Sequence, residues 1–497
     1  MIKIKIKADN KLKLSAPSCI LLFLHQNKNL KEELQSVVTS YGLKATKIQQ
    51  KNFTSDKGSE IRIYKEDSKP DLFIIKKIKT DENFSADYFR NYLAGLIPSL
   101  VTEEISILNV ILPEFEPYKE YFTDAAYLAA TIAEGAHYGA YSFDKYKTKD
   151  KEKHSLDVVI FTNELKKTAH VVETANKVMR GVEFTRNISN EPGMYLPPQK
   201  LAEQIKKECS GKKIKVTVFD EKEIKKRKMG GVLAVGSGSD NPPRFIVMEY
   251  KPKAAKKAKK IALVGKGVTF DSGGISLKPA SDMWEMKADM SGAAVVAGIV
   301  LAAEACNLPV EITGIIPAVE NMPSGKAYKP GDIVVTASGQ TIEVDNTDAE
   351  GRVILADALY YASQLKPDAI IDLATLTGAI CVALGEYFAG LFTNDDKMAE
   401  GLYRSGIKTN DRVWRMPLWN DYNKLIKSDV ADVKNTGGRW GGAITAAKFL
   451  EMFVGKNIPW AHVDIAGPAI ANGLNNYSKP YMTGFGVRLI FDYLQNI

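Results

Sequence analysis

The sequence predicts an α/β protein: a smaller N-terminal α/β domain, a long linker helix, and a larger C-terminal α/β/α domain around a central mixed sheet. Three observations predict it. Apolar runs of strand length alternate with stretches of helical spacing along the chain. One helix-spaced stretch, 163–188, outlasts the others and ends at Asn190-Glu191-Pro192-Gly193, a strong stop signal. The 497 residues are also about three times the length of one typical domain. Together these divide the chain into 1–162, the linker 163–190 and 191–497.

Each element has a local reason. The first ten residues, MIKIKIKADN, alternate charged and apolar side chains with a period of two. That is a strand pattern, not a secretory leader. Apolar runs at 19–24, 72–75 and 105–111 read as further strands. Helical spacing occupies 30–40 and 87–96, the second stopping ahead of Pro98. The alanine-rich stretch 123–138 reads as a helix, and 163–188 carries Val171, Ala175, Val178, Val182 and Phe184 near helical spacing. Beyond it, strands are expected at 215–219, 244–249, 260–264, 312–318, 369–373 and 460–465. Helices are expected at 291–305 and 353–361.

Composition narrows the function classes. With 45% hydrophobic and 25% charged residues, the chain is an ordinary globular one able to bury a large core. Cys19, Cys209, Cys306 and Cys381 stand far apart, which excludes a disulfide scaffold and a thiolate zinc knuckle. Only His25, His137, His154, His170 and His462 are available, so a multi-ligand metal site must draw mainly on carboxylates. The longest apolar stretch, 292–303, is shorter than the ~18 residues of a membrane span. A cytoplasmic protein without membrane contact is therefore expected. The net charge of +8 permits nucleic-acid contact without requiring it. The run KPKAAKKAKK at 251–260 reads as a solvated hairpin loop, with a nucleic-acid or membrane-surface patch as the alternative. The loop GSGSD at 236–240 is followed by Pro242-Pro243 and a strand, where a phosphate-binding loop would need a helix.

The chemistry concentrates between 261 and 362. A strand leads to Lys266, then to Asp271-Ser272-Gly273-Gly274; Lys278, Asp289 and the block Asn346-Thr347-Asp348-Ala349-Glu350-Gly351-Arg352 follow. In open α/β sheets, sites form at the carboxyl ends of strands. Structural roles compete for each residue: a turn at Asp271, a helix cap at Asp289, and a capping box between Thr347 and Glu350. Arg352 argues against the last, because a cation in a first turn opposes the helix dipole and suits a bound anion. If Asp271, Asp289, Asp348 and Glu350 converge, they need counter-charge. Two divalent cations would supply it, and paired metals in oxygen-rich sites activate water for hydrolysis. Lys266 could add a neutral amine as a ligand if an adjacent metal lowers its pKa.

These segments resemble the leucyl (cytosol) aminopeptidase family: GKGVTFDSGG at 265–274, SLKP at 276–279, KADMSG at 287–292 and NTDAEGRV at 346–353. Val353 stands where the family has leucine. The resemblance continues through 375–378, 441–447 and 464–467, covering about 160–497. It implies that Lys266, Asp271, Asp289 and Glu350 bind one metal and Asp271, Asp348 and Glu350 the other. It further implies that Lys278 and Arg352 are catalytic, with bicarbonate on Arg352, and that Met286, Thr375, Gly378 and Ala466 line the pocket for the first side chain. Zinc is the implied metal, with manganese, magnesium or cobalt at the more exchangeable site. A homohexamer acting on peptides with a free N-terminus completes the expectation, with first residues leucine- or methionine-like. The rival readings are a two-metal phosphoesterase, which usually recruits histidines, and a nucleic-acid-binding protein.

Overall fold

The structure, a computed structural model, describes residues 2–55, 57–65, 70–149, 154–252, 258–470, 473, 477 and 481–497. The chain forms two compact units, one through Met179 and one from Arg180 onward, with Gly473 and Tyr477 joining the first. The long helix is continuous over Leu165–Ser189, so the division falls inside it. Of the lysine run, residues 253–257 lie outside the described residues.

Six strands build the first unit: β1 (Ile2–Asp9), β2 (Ser18–His25), β3 (Glu60–Tyr64), β4 (Leu72–Ile78), β5 (Ile107–Ile111) and β6 (His154–Phe161). Their order is β1-β6-β5-β2-β4-β3, parallel except for β3. The apolar run of β2 is continuous because both its faces are covered. Leu21 and Phe23 join one core with Leu93 and Leu128, while Ile20 and Leu22 join another with Leu30 and Phe53.

One expectation fails here. The helix expected to stop before Pro98 runs over Tyr88–Thr102 with the proline inside it. Leu93, Ile97, Leu100 and Val101 are buried on both sides of Pro98. The neighbouring helix Ala125–Ala140 comes so close that a Cβ on Gly139 would lie 2.7 Å from the Ala94 carbonyl. Tertiary packing thus holds a helix that the proline alone would end.

The second unit contains β7 (Ile214–Phe219), β8 (Arg244–Tyr250), β9 (Lys260–Gly265), β10 (Gly267–Asp271), β11 (Glu311–Asn321), β12 (Ile333–Val335), β13 (Thr341–Glu343), β14 (Ala369–Ala374), β15 (Ala389–Thr393), β16 (Val413–Arg415), β17 (Val433–Lys434) and β18 (Trp460–Asp464). Nine of them form a mixed sheet in the order β16-β15-β18-β14-β9-β11-β8-β7, with β10 also on β11. Strands β18, β14, β9, β11 and β10 at its centre are mutually parallel. Helix Glu350–Gln364 covers one face, where Val353 and Ile354 share a core with Ala262, Val264 and Ile315. Helix Ser291–Cys306 covers the other, its Val296 and Val300 filling the space over Gly314. By length and composition, the run Met283–Cys306 could cross a membrane, but most of its apolar window is buried inside the protein. The expected α/β/α layering follows from these two helices.

Candidate metal centre

The parallel strands deliver their carboxyl ends to one place. Lys266 follows β9, Asp271 ends β10, Asn321 ends β11, Thr375 follows β14 and Asp464 ends β18. This is where an open α/β sheet exposes backbone ends and polar side chains without disturbing its core.

Four carboxylates and two lysines interlock there. Lys266 Nζ lies 2.8 Å from both Asp289 Oδ2 and Glu350 Oε1, and it donates to the Thr375 carbonyl at 2.9 Å. Lys278 Nζ lies 2.9 Å from Asp271 Oδ2 and also pairs with Asp348. Asp271, Asp348 and Glu350 each offer an oxygen within 4.8 Å of the others, an arrangement able to hold a metal ion. Asp271, Asp289 and Glu350 are buried, Asp348 half-buried.

The structural alternatives can now be judged. Helix Glu350–Gln364 begins after Ala349 with no side-chain cap, so the Thr347–Glu350 capping box, which Arg352 already argued against, is absent. Thr347 Oγ1 instead donates to the Gly273 carbonyl at 2.7 Å and accepts from Ser276 N. Asp289 does not cap helix Ser291–Cys306 either; its Oδ1 accepts from Thr375 Oγ1 at 2.8 Å. Asp271 does make a turn, accepting from Gly273 N at 2.9 Å, while its Oδ2 still faces the cluster. Gly273 has φ +86°, and a Cβ there would fall 2.9 Å from Asp348 Oδ1. Only glycine fits both the conformation and the approach. Gly351 has the same spatial role, since a Cβ on it would meet Lys266 Nζ at 2.8 Å.

Electrostatics set the chemistry. Burial raises Glu350 and Asp289 above the ordinary carboxylate range, and Asp271 raises them further against the pull of Lys266. Burial and Asp271 likewise raise Asp348. Burial disfavours the Lys266 ammonium, but Asp289, Glu350 and Asp271 outweigh it and hold its proton tightly. A neutral Lys266 amine therefore requires the field of an adjacent cation, not burial alone. Among the described residues, neither oxygen of Glu350 receives a well-directed hydrogen bond. Buried carboxylate oxygens left without donors are costly, and divalent cations suit this donor set. The residues fit a metal centre.

Arg352 sits in the first turn of its helix, buried, with Nη1 donating to the Asn435 carbonyl at 2.8 Å and Nε unsatisfied among the described residues. Burial pushes its pKa down to about 10. Of the expected pocket residues, Thr375 joins the cluster directly. Gly378 opens helix Gly378–Leu384 with nothing within 4 Å of where a Cβ would stand. Met286 and Ala466 are half-buried, the latter packed against Ile380 and Ile444. His462 is a core residue: its Nδ1 lies 2.6 Å from Asp372 Oδ1, and its ring stacks on Phe392.

Sequence reading missed three supports. Asn321 Nδ2 donates to Asp271 Oδ1 at 2.8 Å and to the Thr347 carbonyl at 3.0 Å. Asn435 Oδ1 accepts from Asp345 N at 2.8 Å, and its Nδ2 donates to the Asn346 carbonyl at 2.7 Å. Asp464 accepts from Leu376 N at 3.0 Å and Thr377 Oγ1 at 2.7 Å, fixing the loop that carries Thr375. Polar residues ending strands ahead of glycine-rich turns were the available signal.

Comparison with known proteins identifies the family. The catalytic-domain model of the cytosol aminopeptidase family matches residues 183–491. A probable cytosol aminopeptidase of Chloroherpeton thalassium is 45% identical over 471 residues, covering 90% of this chain and 91% of its own. One from Aquifex aeolicus is 43% identical over 448 residues, covering 90% and 89%. A mutant of tomato leucine aminopeptidase superposes with a TM-score of 0.86 at 31% identity, covering 100% of this chain and 97% of its own. The bottromycin maturation enzyme BotP in complex with Mn gives 0.83 at 31% identity, covering 97% and 99%. The likeness thus extends into the N-terminal unit, beyond the 160–497 that the motifs mark. No phosphoesterase reading survives it: the chain belongs to the cytosol aminopeptidase family and is a metal-dependent aminopeptidase.

Proposed function

We propose that the acidic cluster is a two-metal centre that removes leucine-like residues from peptide N-termini. The observation that carries this is the convergence of Asp271, Asp348 and Glu350, with Asp289 joined to Glu350 through the Lys266 ammonium and Glu350 Oε2 left without a partner among the described residues. Lys266, Asp271, Asp289 and Glu350 would hold one ion, and Asp271, Asp348 and Glu350 the other. When bound, such a pair supplies polarisation of the scissile carbonyl and a water of lowered pKa.

The chain's own groups do the rest. A free α-amine is the natural partner of so acidic a cluster, which ties cleavage to N-termini. The Lys278 ammonium, held charged by Asp271 and Asp348, donates toward the oxyanion as it develops. Arg352, with its unsatisfied Nε, would hold bicarbonate as the general base. Met286, Thr375, Gly378 and Ala466 would line the first side-chain pocket. One methylene changes such discrimination by only ~1–3 kcal/mol, so specificity is broad.

Zinc, with manganese, magnesium or cobalt at the more exchangeable site, a homohexameric assembly and a cytosolic location belong to the same proposal. Family membership and the manganese complex of BotP support it. The parts 1–162, 163–190 and 191–497 are proposed as N-terminal domain, linker and catalytic domain, supported by the family match over 183–491. The deciding experiment is Glu350→Ala. The variant is expected to keep its far-UV spectrum, lose its metal and lose hydrolysis of a leucine anilide. Full activity at saturating metal would remove Glu350 from the centre.

A further inference from the structure

The first unit contains a cavity of about 420 Å³ that the peptidase chemistry does not use. It lies where β2 and β4, adjacent and parallel, end: Gln26 follows one strand and Lys79 the other. Ligands of open α/β sheets bind at such carboxyl ends. Among the described residues, Lys57, Lys76, Lys77 and Lys79 line it with one carboxylate, Asp81.

That carboxylate is already engaged. Asp81 Oδ1 accepts from Asn83 N at 3.0 Å, and Oδ2 stands 3.6 Å from Lys79 Nζ. Lys77 is 7% exposed, and its Nζ donates to the Ser55 carbonyl at 2.5 Å. No carboxylate pairs with it among the described residues. Its ammonium also lies 5.8 Å from the centre of the Phe53 ring, so its partners are a neutral oxygen and a ring face. Lys76 donates to Ser59 Oγ at 3.0 Å. Burial lowers Lys76 below the ordinary lysine value, with Glu60 opposing and Lys77 adding to the effect. Phe84 and Tyr88, with ring centroids 5.1 Å apart, give the cavity an aromatic wall.

We propose that this cavity binds a phosphate-bearing small molecule, its dianion drawn by the lysines of the lining, chiefly the exposed Lys57 and Lys79, and its organic part resting on Phe84 and Tyr88. Lysine binds phosphate readily as a point charge, and a dianion can answer more than one ammonium at once. The volume, that of a small-molecule site, favours a compact ligand over a strand of nucleic acid.

Equilibrium dialysis of the metal-loaded full chain at constant ionic strength tests this, with phenyl phosphate and inorganic phosphate as probes. Lys57→Gln combined with Lys79→Gln alters two exposed side chains, so the fold is retained. Wild type is expected to bind, and the double variant to bind about tenfold more weakly or worse. Leucine-anilide hydrolysis stays unchanged in that variant, which separates this result from the fate of the metal-centre reading. Tighter binding of phenyl phosphate identifies a phosphomonoester as the ligand; equal binding identifies free phosphate. Absence of binding, or equal affinity in wild type and variant, overturns the proposal. A lysine-dependent affinity for a single-stranded oligonucleotide far above that for phenyl phosphate overturns it in favour of a nucleic-acid surface.

Discussion

In the proposed centre, single side chains separate holding the metals from using them. Lys278 touches Asp271 and Asp348 through its ammonium but contributes no carboxylate oxygen. Lys278→Ala is therefore expected to lower turnover by about 100-fold, the scale of losing one oxyanion donor, while both ions remain by elemental analysis. Loss of both ions would make Lys278 structural. Asn435 is a different case. Its side chain ties down residues 345 and 346, just ahead of Asp348, and its carbonyl receives Arg352. Asn435→Ala breaks buried hydrogen bonds and is expected to cost about 1–3 kcal/mol in denaturant unfolding. Metal affinity should weaken with it; an unchanged metal titration would show that the loop holds its shape alone.

Elements meet through buried polar groups as well as apolar ones. Asp357, fully buried on helix Glu350–Gln364, accepts from Val232 N at 3.0 Å and Ala337 N at 2.7 Å. It joins that helix to Gly230–Gly236 and to the turn after β12. Burial pushes its pKa up to about 7, against the lowering effect of those backbone donors. A folded value above the unfolded 3.8 means the native state keeps a proton that the unfolded chain releases. Stability from this group is present at low pH and is lost as pH rises toward 7. Asp357→Asn carries no such titration, so its stability relative to wild type should improve between pH 5 and pH 8, on the order of 2 kcal/mol. Parallel denaturation curves at both pH values check the sign; a difference independent of pH would contradict it.

At the scale of the whole molecule, the proposed metal centre, drawn from four separate strand ends and loops, would couple ion binding to folding. No unfolded chain brings residues 266, 271, 289, 348 and 350 together. Chelation should thus lower stability of the catalytic unit, by about 4 kcal/mol per site for ions present at a thousandfold excess over Kd. Thermal unfolding with and without chelator measures this, and readdition of zinc or manganese should restore it. A melting temperature indifferent to chelator would mean that the carboxylates are settled by Lys266 and Lys278 alone.

Much of this was legible in the chain itself. The strands β2, β4, β9, β11, β14 and β18 announce themselves by apolar runs, because each is buried on both faces. The site residues announce themselves by charge among glycines, since only glycine at 273 tolerates the approach of Asp348. The short strands β12, β13, β16 and β17 escaped, being two or three residues long, below the length at which periodicity exists. What the sequence settled by itself was composition and order: an α/β chain with four candidate acids and two lysines at strand ends. The tertiary structure alone decided that a proline stays inside a helix and that Asn321, Asn435 and Asp464 support the site. Those outcomes depend on contacts between residues tens to hundreds of positions apart, and local pattern carries no information about which of them form.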